Sequence, residues 1–91
     1  MPVSLSGKVA IVTGASSGIG RATALAFAKE GMRLVLSGRS QHRLDAVAAG
    51  AGVDVLVVPA DLTVAAEVDG LVEKAIAHFG QVDVLFANAG V

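Results

Sequence analysis

Apolar and polar positions fall in blocks along this chain: a short apolar run, a Gly-rich or polar turn, then a segment with helical spacing, repeated. Lys8–Thr13 is a continuous β-favouring run, the pattern of a parallel strand covered on both faces. Gly14 to Gly18 makes the turn. Ile19–Glu30 follows, rich in Ala with Leu25 and Phe27 as its larger apolar side chains, and predicts a helix stopped by Gly31. Alanines 22, 24, 26 and 28 would let that helix lie close to whatever it covers. A second strand, Arg33–Ser37, runs into Gly38-Arg39-Ser40, and a short helix from about Gln41 to Ala49 is ended by Gly50-Ala51-Gly52.

Val53–Pro59 predicts a third strand. After Ala60-Asp61-Leu62-Thr63, with Thr63 as the expected N-cap, comes a third helix over about Val64–His78. Its apolar positions Val64, Val68, Leu71, Val72, Ala75, Ile76 and Phe79 form a 3.6-residue stripe. Gly70 lies inside this helix at a cost of roughly 1 kcal/mol against Ala, which close helix packing would explain. Glu67, Asp69, Glu73 and Lys74 read as its wet face. A fourth strand, Val82–Ala87, leads into Asn88-Ala89-Gly90-Val91.

Strands alternating with helices at these lengths require crossovers, and therefore a parallel sheet. Right-handed crossovers put helices one and two on one face. If the third crossover passes back over strands two and one, the order is 3-2-1-4, the first part of a doubly wound fold.

Composition narrows the picture. Apolar residues make up 54% of the 91 residues, and the 11 glycines carry the combined share well above the roughly 45–50% usual for globular chains. A chain so short and so apolar has trouble covering itself with polar surface. Either it self-associates or it is part of something larger. With a net charge of −1 there is no electrostatic footprint for nucleic acid. No polybasic run or long apolar span addresses a membrane, and Met1–Lys8 does not read as a signal peptide. The absence of Cys removes disulfides and thiolate metal sites, and no metal site is expected. His42 and His78 read as surface residues. A cytoplasmic protein is the expectation.

Candidate chemistry sits where the first strand meets the first helix, in Thr13-Gly14-Ala15-Ser16-Ser17-Gly18-Ile19-Gly20. Gly14 permits a tight turn, Gly18 lets a bound diphosphate approach the backbone, and Gly20 lets the helix approach the sheet. Amides at the helix start face the anion, and Ser16 and Ser17 add hydroxyl donors. The alternative is an ordinary Gly-rich turn without a ligand.

This Gly-x-x-x-Gly-x-Gly spacing after a first strand resembles the mark of the short-chain dehydrogenase/reductase family. Arg39 after the second strand, Asp61-Leu62 after the third and Asn88-Ala89-Gly90 after the fourth fall in that family's order. The resemblance covers essentially the whole chain and implies a partial Rossmann-type α/β fold, with four strands in the order 3-2-1-4 and three helices. By resemblance, Gly14, Ser16, Ser17, Gly18, Ile19 and Gly20 hold the cofactor's phosphates. The Asp61 carboxylate accepts from the adenine amino group with the Leu62 backbone assisting, and Asn88, Ala89 and Gly90 form a structural turn beside the cofactor. Where NAD-using relatives carry an acidic residue, this chain has Gly38 followed by Arg39. A guanidinium there suits the 2′-phosphate of NADP, so NADP(H) is expected over NAD(H). The alternatives are a solvated loop Arg39 and an Asp61 that serves the helix start. Ser17 departs from one NADP subgroup, which has a basic residue there, and Ala87 stands where many relatives carry Asn.

The resemblance also implies what this stretch lacks. The family's Tyr general acid/base, the Lys four residues later, the orienting Ser and the relay Asn all correspond to positions beyond Val91, and the chain has no Tyr. No catalytic residue is therefore assigned. Residues 1–91 read as the truncated, N-terminal cofactor-binding part of an oxidoreductase that exchanges hydride between nicotinamide and a carbonyl or alcohol, inactive as these residues alone. The alternatives are a non-catalytic adenosine-phosphate-binding module and a self-associating structural fragment. Self-association is expected through the strand-four edge or the uncovered sheet face.

Overall fold

The computed structural model describes residues 4–16 and 18–88. Ser17, Ala89 and Gly90, three of the expected site residues, lie outside the described residues. The elements alternate as β1 (Val9–Thr13), α1 (Gly18–Lys29), β2 (Arg33–Gly38), α2 (Gln41–Ala51), β3 (Val55–Pro59), α3 (Ala65–Phe79) and β4 (Val84–Phe86). The strands form one parallel sheet in the order β3-β2-β1-β4. The sheet is parallel, as the strand and helix lengths predict, and the architecture is the partial Rossmann-type α/β fold that the resemblance implied.

All five residues of β1 are buried, as its uninterrupted apolar run requires. Alternate side chains feed two cores. Ala10, Val12, Leu34 and Leu36 pack with Ala24 and Ala28 of α1 and Leu44 and Val47 of α2. Val9, Ile11, Val35 and Val58 pack with Leu71 and Ala75 of α3. Helices α1 and α2 thus share one face and α3 takes the other, as right-handed crossovers demand.

Several expectations need correction. In α1 the buried residues are Gly20, Ala24 and Ala28, an i, i+4, i+8 stripe, while Ala22 and Ala26 are exposed. Helix α2 runs through Gly50 and stops at Gly52, whose φ of 71° supplies the left-handed cap. A helical glycine costs only about 1 kcal/mol, so Gly50 does not break the helix. Thr63 is not the N-cap of α3. Val64 holds that place without a side-chain bond, because the Thr63 hydroxyl and amide both donate to Asp61 Oδ1, at 2.6 and 3.0 Å. Nor does close packing explain Gly70: a Cβ there would meet nothing within 4 Å. The α3 stripe is only partly used, since Val64, Val68 and Ile76 are exposed.

β4 is shorter than expected because Asp83 replaces strand pairing at its start. Its amide donates to the Val9 carbonyl, and its Oδ2 accepts from the Val9 amide at 2.9 Å.

Candidate functional site

The carboxyl ends of the four strands converge, and polar side chains tie them into one rim. Thr13, buried at the end of β1, donates its hydroxyl to the Phe86 carbonyl at 3.4 Å and accepts from the Asn88 amide at 2.9 Å. The last turn of β4 is thereby fastened to β1. Ser37, fully buried at the end of β2, donates to the Val58 carbonyl at 2.8 Å. Two amides complete the rim: Ala15 donates to the Ser37 carbonyl and Ala60 to the Gly38 carbonyl.

The Gly-rich turn rests on this rim. Gly14 and Gly18 have φ values of 61° and 58°, in the left-handed region that L side chains avoid. A Cβ on Gly14 would come within 3.1 Å of the Asn88 carbonyl oxygen, so the turn and the β4 end are in contact. A Cβ on Gly20 would lie 2.0 Å from the Gly14 carbonyl oxygen, which brings α1 down onto the turn that precedes it. Beside Gly18 there is open space within 4 Å. Ile19 is 70% exposed on the first turn of α1, where the helix geometry leaves amides without intrahelical partners. The arrangement fits an anion laid over Gly18 against the helix start.

Arg39 and Asp61, taken from the ends of neighbouring strands, meet across the rim. Arg39 Nη2 is 3.6 Å from Asp61 Oδ1, and both side chains are accessible to solvent. The two hydrogen bonds from Thr63, chiefly that from its hydroxyl, and then the Arg39 guanidinium hold the Asp61 carboxyl below its ordinary pKa. All these partners use Oδ1. The other oxygen, Oδ2, accepts no hydrogen bond among the described residues and remains available to an outside donor. The neighbouring Leu62 turns its side chain into the α3-side core.

The site residues read from the sequence that are described here therefore gather at one end of the sheet: Gly14, Ser16, Gly18, Ile19, Gly20, Arg39, Asp61, Leu62 and Asn88. Two contributors were not assigned to the site. Thr13 opens the quoted motif but was given no role of its own. Glu67, read as solvated, accepts the Asp61 amide at 2.9 Å and so fixes the loop from the α3 side. Among the described residues no group of three or more His, Asp or Glu is placed to hold a metal ion, and no helix is long and apolar enough to cross a membrane.

Comparisons with known proteins converge on this geometry. The family profile described as short chain dehydrogenase matches residues 8–91. An uncharacterized oxidoreductase of Staphylococcus haemolyticus is 51% identical over 88 residues, covering 96% of this chain and 38% of that protein. The structure of L-sorbose reductase from Gluconobacter frateurii, complexed with NADPH and L-sorbose, superposes with a TM-score of 0.93 at 45% identity, over 100% of this chain and 36% of that one. That of 3-ketoacyl-(acyl-carrier-protein) reductase from Brucella melitensis, complexed with NADH, gives 0.85 at 45% identity, over 90% of this chain and 34% of that one. The chain spans 38% or less of the length of these relatives.

Proposed function

The chain belongs to the short-chain dehydrogenase family, and from that premise we propose that residues 1–91 form the dinucleotide-binding portion of an NADP(H)-preferring oxidoreductase. The observation that carries this reading is the shared rim. An open glycine turn at a helix start and an accessible Arg39–Asp61 pair stand at adjacent strand ends. The turn and the first amides of α1 would take the diphosphate. Asp61 Oδ2 would accept from the adenine amino group, and Arg39 would leave Asp61 for the 2′-phosphate, a bidentate and doubly charged partner. Asn88 and Thr13 hold the β4 end where the cofactor's nicotinamide side would pass. NADPH bound to one similar structure supports the preference, whereas another of equal identity holds NADH and lends it no support.

When bound, the nicotinamide supplies hydride chemistry between the cofactor and a carbonyl or alcohol. These 91 residues bind and orient it. They contain no Tyr to hold or deliver the accompanying proton, so by themselves they do not turn over. The experiment is a titration of NADPH fluorescence against the chain and its Gly18→Val variant, followed by a ketone panel monitored at the NADPH absorbance. Saturable binding lost in the variant, without NADPH consumption, is expected. Binding unchanged by Gly18→Val would remove the site assignment, and consumption by the pure chain would remove the assignment of inactivity.

One observation favours self-association of the isolated chain as well. Among the described residues nothing pairs with the outer side of β4, and Leu85 at its centre is 59% exposed. We infer that two copies of the isolated 91 residues pair along that edge or over the adjoining sheet face. A monomer mass by sedimentation at tens of micromolar would contradict this.

A further inference from the structure

Three of the chain's four arginines, Arg21, Arg39 and Arg43, stand on the elements that flank the Gly-rich turn and the end of β2. Arg39 is the one that the cofactor reading uses, and it is already shared with Asp61. The other two line an open groove of about 600 Å³ between α1 and α2, together with Ser16, Leu25, Ala46, Val47 and Gly50. Val47 and Leu25 pack into the core and form the apolar side of the groove.

Of the groove's lining residues, Ser16 is the one that reaches the β2 end, where the cofactor reading puts the 2′-phosphate. The Ser16 hydroxyl lies 3.7 Å from where a Cβ on Gly38 would be, so the Gly-rich turn and the β2 end touch at the residue preceding Arg39. Arg43 is in the first turn of α2, and its amide is held by the capping Ser40 hydroxyl at 3.3 Å. Its backbone position is thus fixed four residues beyond Arg39. Among the described residues neither Arg21 nor Arg43 is paired with a carboxylate. The acidic side chain nearest in sequence, Asp45, already accepts from Gln41 at 3.0 Å.

Resting on the cofactor reading above, we propose that Arg43 is a second specificity-determining residue, which reaches across the groove to share the adenosine 2′-phosphate with Arg39, while Arg21 adds positive field from the α1 side. Charge balance argues for it. A 2′-phosphate carries about −1.5 to −2 at neutral pH, and a single exposed guanidinium that also faces Asp61 cannot neutralise it. Two guanidiniums with a serine hydroxyl can. NAD(H) places nothing in this groove, so Arg43 contributes to one cofactor and is silent toward the other.

The test is calorimetric titration of NADP⁺ and NAD⁺ into the full chain and its Arg43→Ala and Arg43→Lys variants, with thermal melts confirming that each variant is folded. Arg43→Ala is expected to weaken NADP⁺ about tenfold, as the loss of one charge-assisted contact should, with NAD⁺ within twofold. Arg43→Lys should recover part of the loss, and the NADP⁺ affinity of Arg43→Ala should fall less steeply with added salt. Equal weakening of both cofactors, or no change in either, would overturn the role of Arg43 while leaving the cofactor site standing. If the parent chain bound neither cofactor, the underlying reading would fail first and this inference with it.

Discussion

Gly20 and Gly14 are pressed together: a Cβ on Gly20 would stand 2.0 Å from the Gly14 carbonyl oxygen and 2.6 Å from its carbonyl carbon. Both atoms are backbone, so no side-chain rotation relieves the clash. Gly20→Ala should therefore destabilise the chain by more than about 2 kcal/mol, beyond typical overpacking at a movable neighbour. Gly18→Ala meets open space and bears only the strain of a φ of 58°, a cost of about 1–2 kcal/mol. Urea unfolding of the two variants measures the difference. Equal midpoints would mean that α1 does not rest on the turn as described.

Gly70 gives the opposite expectation. It has no neighbour within 4 Å of a Cβ and lies inside α3, so Gly70→Ala should stabilise the chain by about 1 kcal/mol. A raised urea midpoint with an unchanged slope is the expected result; a lowered one would reveal a contact at this position.

These two glycines mark how far the sequence could be read. The shared face of the first two helices was legible because crossover handedness constrains it, whereas the strand order was conditional on the third crossover and, with the joining of Arg39 and Asp61 to the Gly14, Gly18 and Gly20 turn, rested on the family resemblance. Gly70 was misread because sequence shows a missing side chain without showing whether anything needs the space. Thr63 was misread for a related reason. A hydroxyl before a helix can serve the helix or the preceding carboxylate, and here Asp61 wins both of its donors. The Asp61–Glu67 contact joins a loop amide to a helix face, and neither hydrophobic period registers it.

Thr13→Val keeps the side-chain volume but removes the hydroxyl that accepts from the Asn88 amide and donates to the Phe86 carbonyl. A loss of about 1–3 kcal/mol is expected from the partners left behind at a part-buried site. Hydrogen exchange localises the effect: the Asn88 amide should exchange faster while amides in β2 and β3 of the native state change little. Uniform acceleration would point to global destabilisation instead of a loosened β4 end.

Acid stability should depend on Asp83. The Val9 amide, then the Gln81 side chain, hold its carboxyl below the ordinary value of 3.8, so the folded state favours the ionised form. Its contribution is present above that ordinary value and disappears as pH falls through the lower folded value. Asp61 behaves in the same sense, through Thr63 and Arg39. Stability followed by denaturant midpoint should fall on acidification below the ordinary aspartate range, and Asp83→Asn should flatten that fall. A variant with the parent's acid limb would show that the Val9–Asp83 contact is not populated.

Arg39→Ala should weaken NADPH binding about tenfold or more while leaving NADH within a fewfold, since NADH lacks the 2′-phosphate that the guanidinium would hold. Removing it also frees Asp61, which should move the aspartate's titration upward by NMR. Equal losses for the two cofactors would make Arg39 a structural partner of Asp61 and nothing more.

The most direct test of the central claim is calorimetric titration of the purified chain with NADPH and then NADH. The account predicts saturable binding of both, one molecule per chain, with NADPH the tighter. Absence of heat and saturation with either cofactor would contradict it, and would leave the glycine turn and the Arg39–Asp61 pair as features of the fold alone.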